Sequence, residues 1–275
     1  DMKLRDLLEN VEVLEMTADP ELDIRDVAYD SRKVTTGALF VAITGFASDG
    51  NRFIPMAMEK GAVAVVTAKK PESHIPYVLV SSDRLALALI GANFYGHPAK
   101  AMTMIGVTGT NGKTTTSFMI WQMLNHAGYK TGLMTTVAWG VGKLQPELNH
   151  MTTVDAFTLN SRIADIKKQG AEFLVLEVTS HALAQFRTLG IPVEVAVFTN
   201  LTHDHLDYHK TVANYRAAKG KLFKKAKFSI LNADDAATKY YKTITEFFTT
   251  YGIKAGEHRA KNIKLDVSSV EYSVD

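Results

Sequence analysis

The sequence has no cysteine, which removes disulfides, thiolate metal sites and cysteine nucleophiles together. A reducing compartment is compatible with that. No run approaches the roughly 18 consecutive apolar residues needed to span a bilayer. The charged opening Asp1-Met2-Lys3-Leu4-Arg5-Asp6 has no apolar signal core behind it. Neither sign of charge dominates: 31 Lys and Arg face 29 Asp and Glu, for a net charge of +2. That balance argues against a general nucleic-acid-coating protein. Repeats and low-complexity tracts are also missing. What is there is 275 residues, 46% hydrophobic and 22% charged, an ordinary globular composition at a length suited to about two domains. The expectation is a cytoplasmic protein with no membrane and no nucleic-acid partner.

Short apolar runs bounded by Gly, Pro or Ser at 39–43, 62–66 and 77–80 read as buried strands, with helical spacing at 53–60 and 83–95. These make a small α/β domain over residues 1–98, closed by Gly96-His97-Pro98. A second α/β domain, 99–275, carries expected strands at 103–107, 173–177, 193–198 and 228–231. Helices are expected between them at 113–127, 155–169 and 212–225. Alternating strands and helices imply a mostly parallel, doubly wound sheet whose ligands bind beyond the carboxyl ends of the strands. The tail from Ala260 to Asp275 alternates polar and apolar residues, as unfinished strand material.

The chemically suggestive residues cluster at those strand ends. Thr108-Gly109-Thr110-Asn111-Gly112-Lys113-Thr114-Thr115 lies between a strand and a helix. Backbone N–H groups and the helix start favour phosphate oxygens there, Lys113 adds a point charge, and Thr114 is a magnesium ligand candidate. The usual loop places a glycine five residues before the second one, where this sequence has Val107. Glu177 leaves a five-residue apolar strand at the same edge and is a candidate for a hard cation. His203, His205 and His209, with Asp204 and Asp207, form the densest titratable cluster. A dinuclear-zinc hydrolase pattern, His-x-His-x-Asp-His, is not met, because Tyr208 follows Asp207 and His209 comes one place late. His205 is the inward ligand candidate, whereas His203 and His209 suit a solvated loop. Among the lysines after Tyr215, Lys221, Lys224 and Lys225 fit a solvated face. Lys219 follows two alanines that allow close approach, though spacing alone does not select it.

Taken in order, several motifs resemble the Mur ligase family, in its MurE-type branch. They are Asp30-Ser31-Arg32-Lys33-Val34, then Gly37-Ala38-Leu39-Phe40-Val41-Ala42 with Gly45 and Asp49-Gly50. There follow the loop from Gly109 to Thr115, His150-Met151-Thr152-Thr153-Val154-Asp155-Ala156, Glu177-Val178-Thr179-Ser180-His181-Ala182-Leu183, the stretch from Thr199 to His209, and Ala217-Ala218-Lys219.

The resemblance implies a small N-terminal α/β domain that binds a UDP-sugar, followed by a mostly parallel P-loop ATPase-like central domain. It implies an ATP-dependent ligase of peptidoglycan biosynthesis, working as a monomer. A carboxylate of UDP-MurNAc-L-Ala-D-Glu attacks the γ-phosphate of ATP, and a diamino acid, L-lysine or meso-diaminopimelate, displaces phosphate from the acyl phosphate. By resemblance Gly109, Thr110, Asn111, Gly112, Lys113, Thr114 and Thr115 bind ATP. Thr114 and Glu177 hold one Mg2+, His205 a second, and Lys219 acts as a carbamate. Substrate contacts fall on Tyr29, Ser31, Phe46, Ala47, Ser48, Thr152, Thr153, Ser180, Gln185 and Arg187. Val154 stands where the family commonly has Pro, Thr179 where Ser is common, and Met151 where some members carry Asn. The family's third, C-terminal domain, which selects the amino acid, is expected to be absent from the sequence. The alternative is a binding module of the same family that holds nucleotide or UDP-MurNAc-peptide without ligation. A metal-dependent hydrolase is a further candidate, excluded if phosphate release needs all three substrates.

Overall fold

The computed structural model describes residues 1–45, 49–148, 154–185, 187–202 and 210–275. The chain divides into two compact units. The first is Asp1–Pro98 together with Asp155–Ser161 and residues up to Ile191; the second is Ala99–Val154, Arg162–Gln185 and Pro192–Asp275.

In the first unit the order is β1 (Met2–Lys3), α1 (Leu4–Leu7), β2 (Val13–Met16), β3 (Asp23–Ile24), β4 (Asp26–Ala28), β5 (Ala38–Ala42), α2 (Ile54–Glu59), β6 (Ala64–Thr67), β7 (Tyr77–Val80) and α3 (Asp83–Phe94). Five strands form a sheet in the order β2-β7-β6-β5-β4, parallel except where β2 meets β7. Strand β5 is buried at every position, as a parallel strand covered on both faces must be. Its alternate side chains serve two cores. Leu39 and Val41 pack with Leu4, Leu7 and Ile90 of α1 and α3, whereas Ala38, Phe40 and Ala42 pack with Ile54 and Ala57 of α2. Helix α2 is shorter than the sequence suggests, because Gly50–Phe53 forms a 3-10 turn capped by Asp49, which accepts the Asn51 N–H. The later segment joins this unit through Phe157, whose ring lies 5.7 Å from Phe94, 5.3 Å from Tyr95 and 6.0 Å from Tyr29.

The chain continues with β8 (Thr103–Thr108), α4 (Lys113–His126), β9 (Thr131–Met134), β10 (Ala138–Val141), β11 (Lys143–Pro146), α5 (Ala156–Lys168), β12 (Phe173–Glu177), α6 (Ser180–Ala184), β13 (Val193–Phe198), α7 (Val212–Lys225), β14 (Ala226–Asn232), α8 (Thr238–Tyr241), β15 (Phe248–Gly252), β16 (His258–Leu265) and β17 (Val270–Val274). The sheet order is β11-β10-β9-β12-β8-β13-β14-β15-β16-β17. It is parallel from β9 to β16 and antiparallel at its two ends. The chain runs outward in both directions from β8, which makes β8 a topological switch point, the place where ligands bind in open α/β sheets. Register puts Glu177 beside Val107 and Phe198 beside Thr108, so the ends of β12, β8 and β13 stand side by side.

Helices reach this sheet closely where glycines make room. A Cβ on Gly132 of β9 would lie 2.5 Å from Ile166 Cγ2 of α5. Gly132→Ala is therefore expected to destabilise the unit by about 1–3 kcal/mol through overpacking, read as a lower denaturant midpoint with an unchanged m-value. The C-terminal stretch forms a hairpin, with β16 parallel to β15 at Tyr251–His258 and β17 folded back antiparallel. Leu265, Val267, Val270 and Val274 are exposed there. Among the described residues no helix is long and apolar enough to cross a membrane.

Candidate functional site

The site grows from the turn between β8 and α4. Gly112 sits at φ +80°, ψ −1° as the residue before α4, a left-handed conformation that an L side chain adopts at a cost. Gly109 is required for a different reason: a Cβ there would stand 1.7 Å from Thr199 Oγ1. The ammonium of Lys113 folds back over the loop, donating to the Gly109 carbonyl at 3.0 Å and the Thr110 carbonyl at 2.8 Å. The first amides of α4 have no carbonyl one turn earlier in the helix to bond, and they add the positive end of the helix dipole to the same place. Together they form a cradle for an anion with several oxygens.

Glu177 ends β12 with only 2% of its surface exposed. Its Oε2 accepts the Thr114 hydroxyl at 3.0 Å and the Thr136 N–H at 3.1 Å. Thr136, in the turn between β9 and β10, was not legible as a site residue because it lies far from any motif. The Thr114 hydroxyl and Glu177 carboxylate are the hard oxygen donors that Mg2+ prefers. Among the described residues, no three His, Asp or Glu side chains converge as a metal set. His205 lies outside the described residues, as do Phe46, Ala47, Ser48, Thr152 and Thr153.

Lys219 enters from α7, 1% exposed. Its Nζ donates to the Gly109 carbonyl at 2.8 Å and lies 4.6 Å from the centre of the Tyr215 ring. Tyr215, one helical turn earlier, places its hydroxyl 3.1 Å from Thr110 Oγ1. The structure thus brings Lys113, Thr114, Glu177 and Lys219 around one loop. The end of β13 closes it from the other side: Thr199 Oγ1 donates to the Asn111 carbonyl at 2.7 Å, and Asn111 N–H donates to Asn200 Oδ1 at 2.9 Å.

Sequence reasoning also passed over the turn after β14. Asn232 Nδ2 donates to the Thr199 carbonyl at 2.7 Å, and Asp235 Oδ2 accepts the Leu201 N–H at 2.7 Å. Asp234 accepts from the N–H groups of Ile253, Lys254 and Ala255, and those bonds hold its carboxyl below the usual range. A cavity of about 610 Å³ opens here, beyond the ends of β14 and β15, between Asp235, Lys239, Thr250 and Glu257. An Asn-Ala-Asp-Asp turn directly after an apolar strand was the available signal.

The first unit holds a second cavity, of about 550 Å³, whose lining includes Tyr29, Ser31, Phe40, Phe53 and Met56. Asp30 caps the 3-10 turn that carries Ser31, accepting the Arg32 N–H at 3.0 Å. Its carboxylate also takes a paired contact from Arg32, at 2.9 Å from Nε and 2.7 Å from Nη2. The Arg32 side chain brings the Asp30 pKa down to about 2. Tyr29 is among the lining residues, and its phenol donates to Asp155 Oδ2 at 2.9 Å and lies 3.0 Å from Thr158 Oγ1. Burial, then the Asp155 charge, push that phenol far above its ordinary pKa, so it stays protonated. Ser31 is buried, Ser180 opens α6 and Gln185 follows its last residue in the second unit, and Arg187 is half-buried in the first.

Two family descriptions match the chain: the Mur ligase middle domain over residues 107–275 and the Mur ligase family catalytic domain over residues 23–95. A curated relative from Syntrophomonas wolfei, UDP-N-acetylmuramoyl-L-alanyl-D-glutamate--2,6-diaminopimelate ligase, is 40% identical across 98% of this chain and 57% of its own length. One of the same name from Geobacillus thermodenitrificans is 43% identical across 92% of this chain and 54% of its own. The chain therefore spans little more than half the length of these relatives. A solved structure of a ligase of that name superposes with a TM-score of 0.85 at 28% identity, covering 99% of this chain and 57% of that one. MurF ligase from Thermotoga maritima, in complex with ADP, shares the fold with a TM-score of 0.62 at 24% identity, over 91% of this chain and 55% of that one.

Proposed function

Because the chain belongs to the Mur ligase family, we propose that it forms the first two domains of an ATP-dependent ligase that adds a diamino acid to UDP-MurNAc-L-Ala-D-Glu. The observation that carries this reading is the convergence of Lys113, Thr114, Glu177 and Lys219 on the loop between β8 and α4, at the switch point of the sheet. The names of the 40–43% identical relatives support the substrate, and the cavity beside Asp30, Ser31 and Arg32 supports a nucleotide-sugar site in the first unit.

Phosphoryl transfer asks the protein for positioning and charge neutralisation more than covalent chemistry. Lys113 and the first amides of α4 take up the charge of the β- and γ-phosphates. The acceptor carboxylate attacks the γ-phosphorus to give an acyl phosphate and ADP. The incoming amine then adds to the acyl carbon, and phosphate leaves. Thr114 and Glu177 are the residues to hold Mg2+, which when bound neutralises phosphate charge. Lys219, once its neutral amine has added carbon dioxide and lost a proton, would offer an anionic oxygen ligand as a carbamate, and His205 would hold a second Mg2+.

The test is ADP release by the full-length protein, with lysine and meso-diaminopimelate offered separately in the presence of UDP-MurNAc-L-Ala-D-Glu. ADP release that needs both acceptor and amino acid is expected. Release with neither amino acid, nor with a wider panel, overturns the ligase. Lys113→Ala is expected to lower kcat/KM for ATP by about 10²–10³-fold, the cost of losing one preorganised charge at a reacting phosphate. Initial rates at varied ATP check it, and a loss under fivefold counts against the phosphate role.

A further inference from the structure

We infer that Asn200 is the positioning residue that fixes the tip of the phosphate loop and so assigns which loop amides meet the nucleotide; this rests on the ATP-binding reading above. Asn200 lies two residues beyond β13 and meets the loop through side chain and backbone together. Its Oδ1 accepts the Asn111 N–H at 2.9 Å, its Nδ2 reaches the Asn111 carbonyl at 3.1 Å, and its own carbonyl accepts the Thr110 N–H at 2.8 Å. A carboxamide alone among short side chains offers a donor and an acceptor side by side for both polar groups of one backbone residue.

The consequence concerns the phosphates. In a loop with only Thr110 and Asn111 between its glycines, the N–H groups of both are already committed to Asn200. The nucleotide is left with the amides from Gly112 onward, at the start of α4, together with Lys113. Strand β8 runs on through Val107 and Thr108, where the usual pattern has its early glycine and is already turning, so the turn itself is short and takes its support from outside. The clamp is itself anchored to the next strand: Asn232 holds the carbonyl before Asn200 and Asp235 holds the N–H after it. Thr202 N–H adds a 3.0 Å bond to Thr110 Oγ1. Asn200 thus transmits the position of β14 to the loop that carries the phosphates.

Two variants of the full-length protein test this. Asn200→Asp keeps the size and the acceptor for Asn111 N–H but sets a second carboxylate oxygen against the Asn111 carbonyl. Asn200→Ala removes both contacts. Each is expected to raise KM for ATP by about tenfold or more, while KM for UDP-MurNAc-L-Ala-D-Glu moves less than twofold. In the nucleotide-free protein, the Asn111 amide is expected to be protected from hydrogen exchange and to lose that protection in Asn200→Ala, with no change at the centre of α4. Parallel rises in both KM values, or an Asn111 amide exchanging equally fast in wild type and variant, overturn the assignment. Failure of the wild type to bind ATP overturns the reading beneath it as well. Wild-type binding with variants unchanged overturns Asn200 alone.

Discussion

Gly109→Ala is expected to lower acceptor-dependent ADP release by at least about 10²-fold, the scale of a misplacement near 1 Å at a reacting centre. The added Cβ would lie 1.7 Å from Thr199 Oγ1, 3.0 Å from Thr199 Cβ and 3.1 Å from the Asn200 backbone nitrogen. Thr199 has little room to yield. It is 7% exposed, its N–H donates to the Thr108 carbonyl at 3.0 Å, and its hydroxyl is spent on the Asn111 carbonyl. Relief must come from the loop, and the Gly109 carbonyl is where both Lys113 and Lys219 anchor. A shift of this peptide therefore moves two cations at once. Gly109→Ala combined with Thr199→Ala removes the closest contact and is expected to regain part of the lost melting temperature, with little recovery of activity because the bond from the Thr199 hydroxyl to the Asn111 carbonyl is also lost. A double-mutant cycle on melting temperature checks the coupling. Activity of Gly109→Ala within fivefold of wild type contradicts the close-approach account.

This loop was legible in the sequence because its signals are local. Thr103-Met104-Ile105-Gly106-Val107 reads as a strand, Gly-Lys-Thr opens the helix behind it, and the structure has β8 and α4 at those positions. Glu177 was legible for the same reason, a carboxylate closing a short apolar run. Strands β9, β10 and β15 were not. Thr131–Met134 and Ala138–Val141 carry glycines, and Phe248–Gly252 is mostly Thr and Tyr; neighbours in the sheet, rather than an apolar pattern of their own, make them strands. The partners of Glu177 and Tyr29 lie 41 and 126 residues away, separations no spacing rule reaches. Tyr29 illustrates the limit. Resemblance placed it on the substrate, and it does line the cavity, but its hydroxyl is engaged with Asp155 and Thr158.

Lys219 was visible only through resemblance, and its surroundings now give it a distinct expected result. Lys219→Ala is expected to lower turnover by about 10²–10³-fold, and a short-chain carboxylic acid added in solution is expected to restore part of it. The side chain is 1% exposed, so its removal opens a cavity and leaves the Gly109 carbonyl without this donor. A drop in melting temperature follows from packing alone and does not distinguish roles. Two further observations do. Lys219→Arg retains a cation and the means to donate to the Gly109 carbonyl, but a guanidinium does not form the carbamate. If the ammonium were the working group, seated above the Tyr215 ring at 4.6 Å, Arg would retain much of the activity. If the carbamate is, Arg is inactive and the acid rescues Ala alone. The carbamate also leaves one N–H on Nζ, enough to keep the bond to the Gly109 carbonyl while its oxygens turn toward a cation. The inactive Arg variant with acid rescue of Ala is therefore the expected pair of results. Unchanged turnover in Lys219→Ala, or an active Arg variant, refutes the carbamate, and the buried lysine is then a support for the loop.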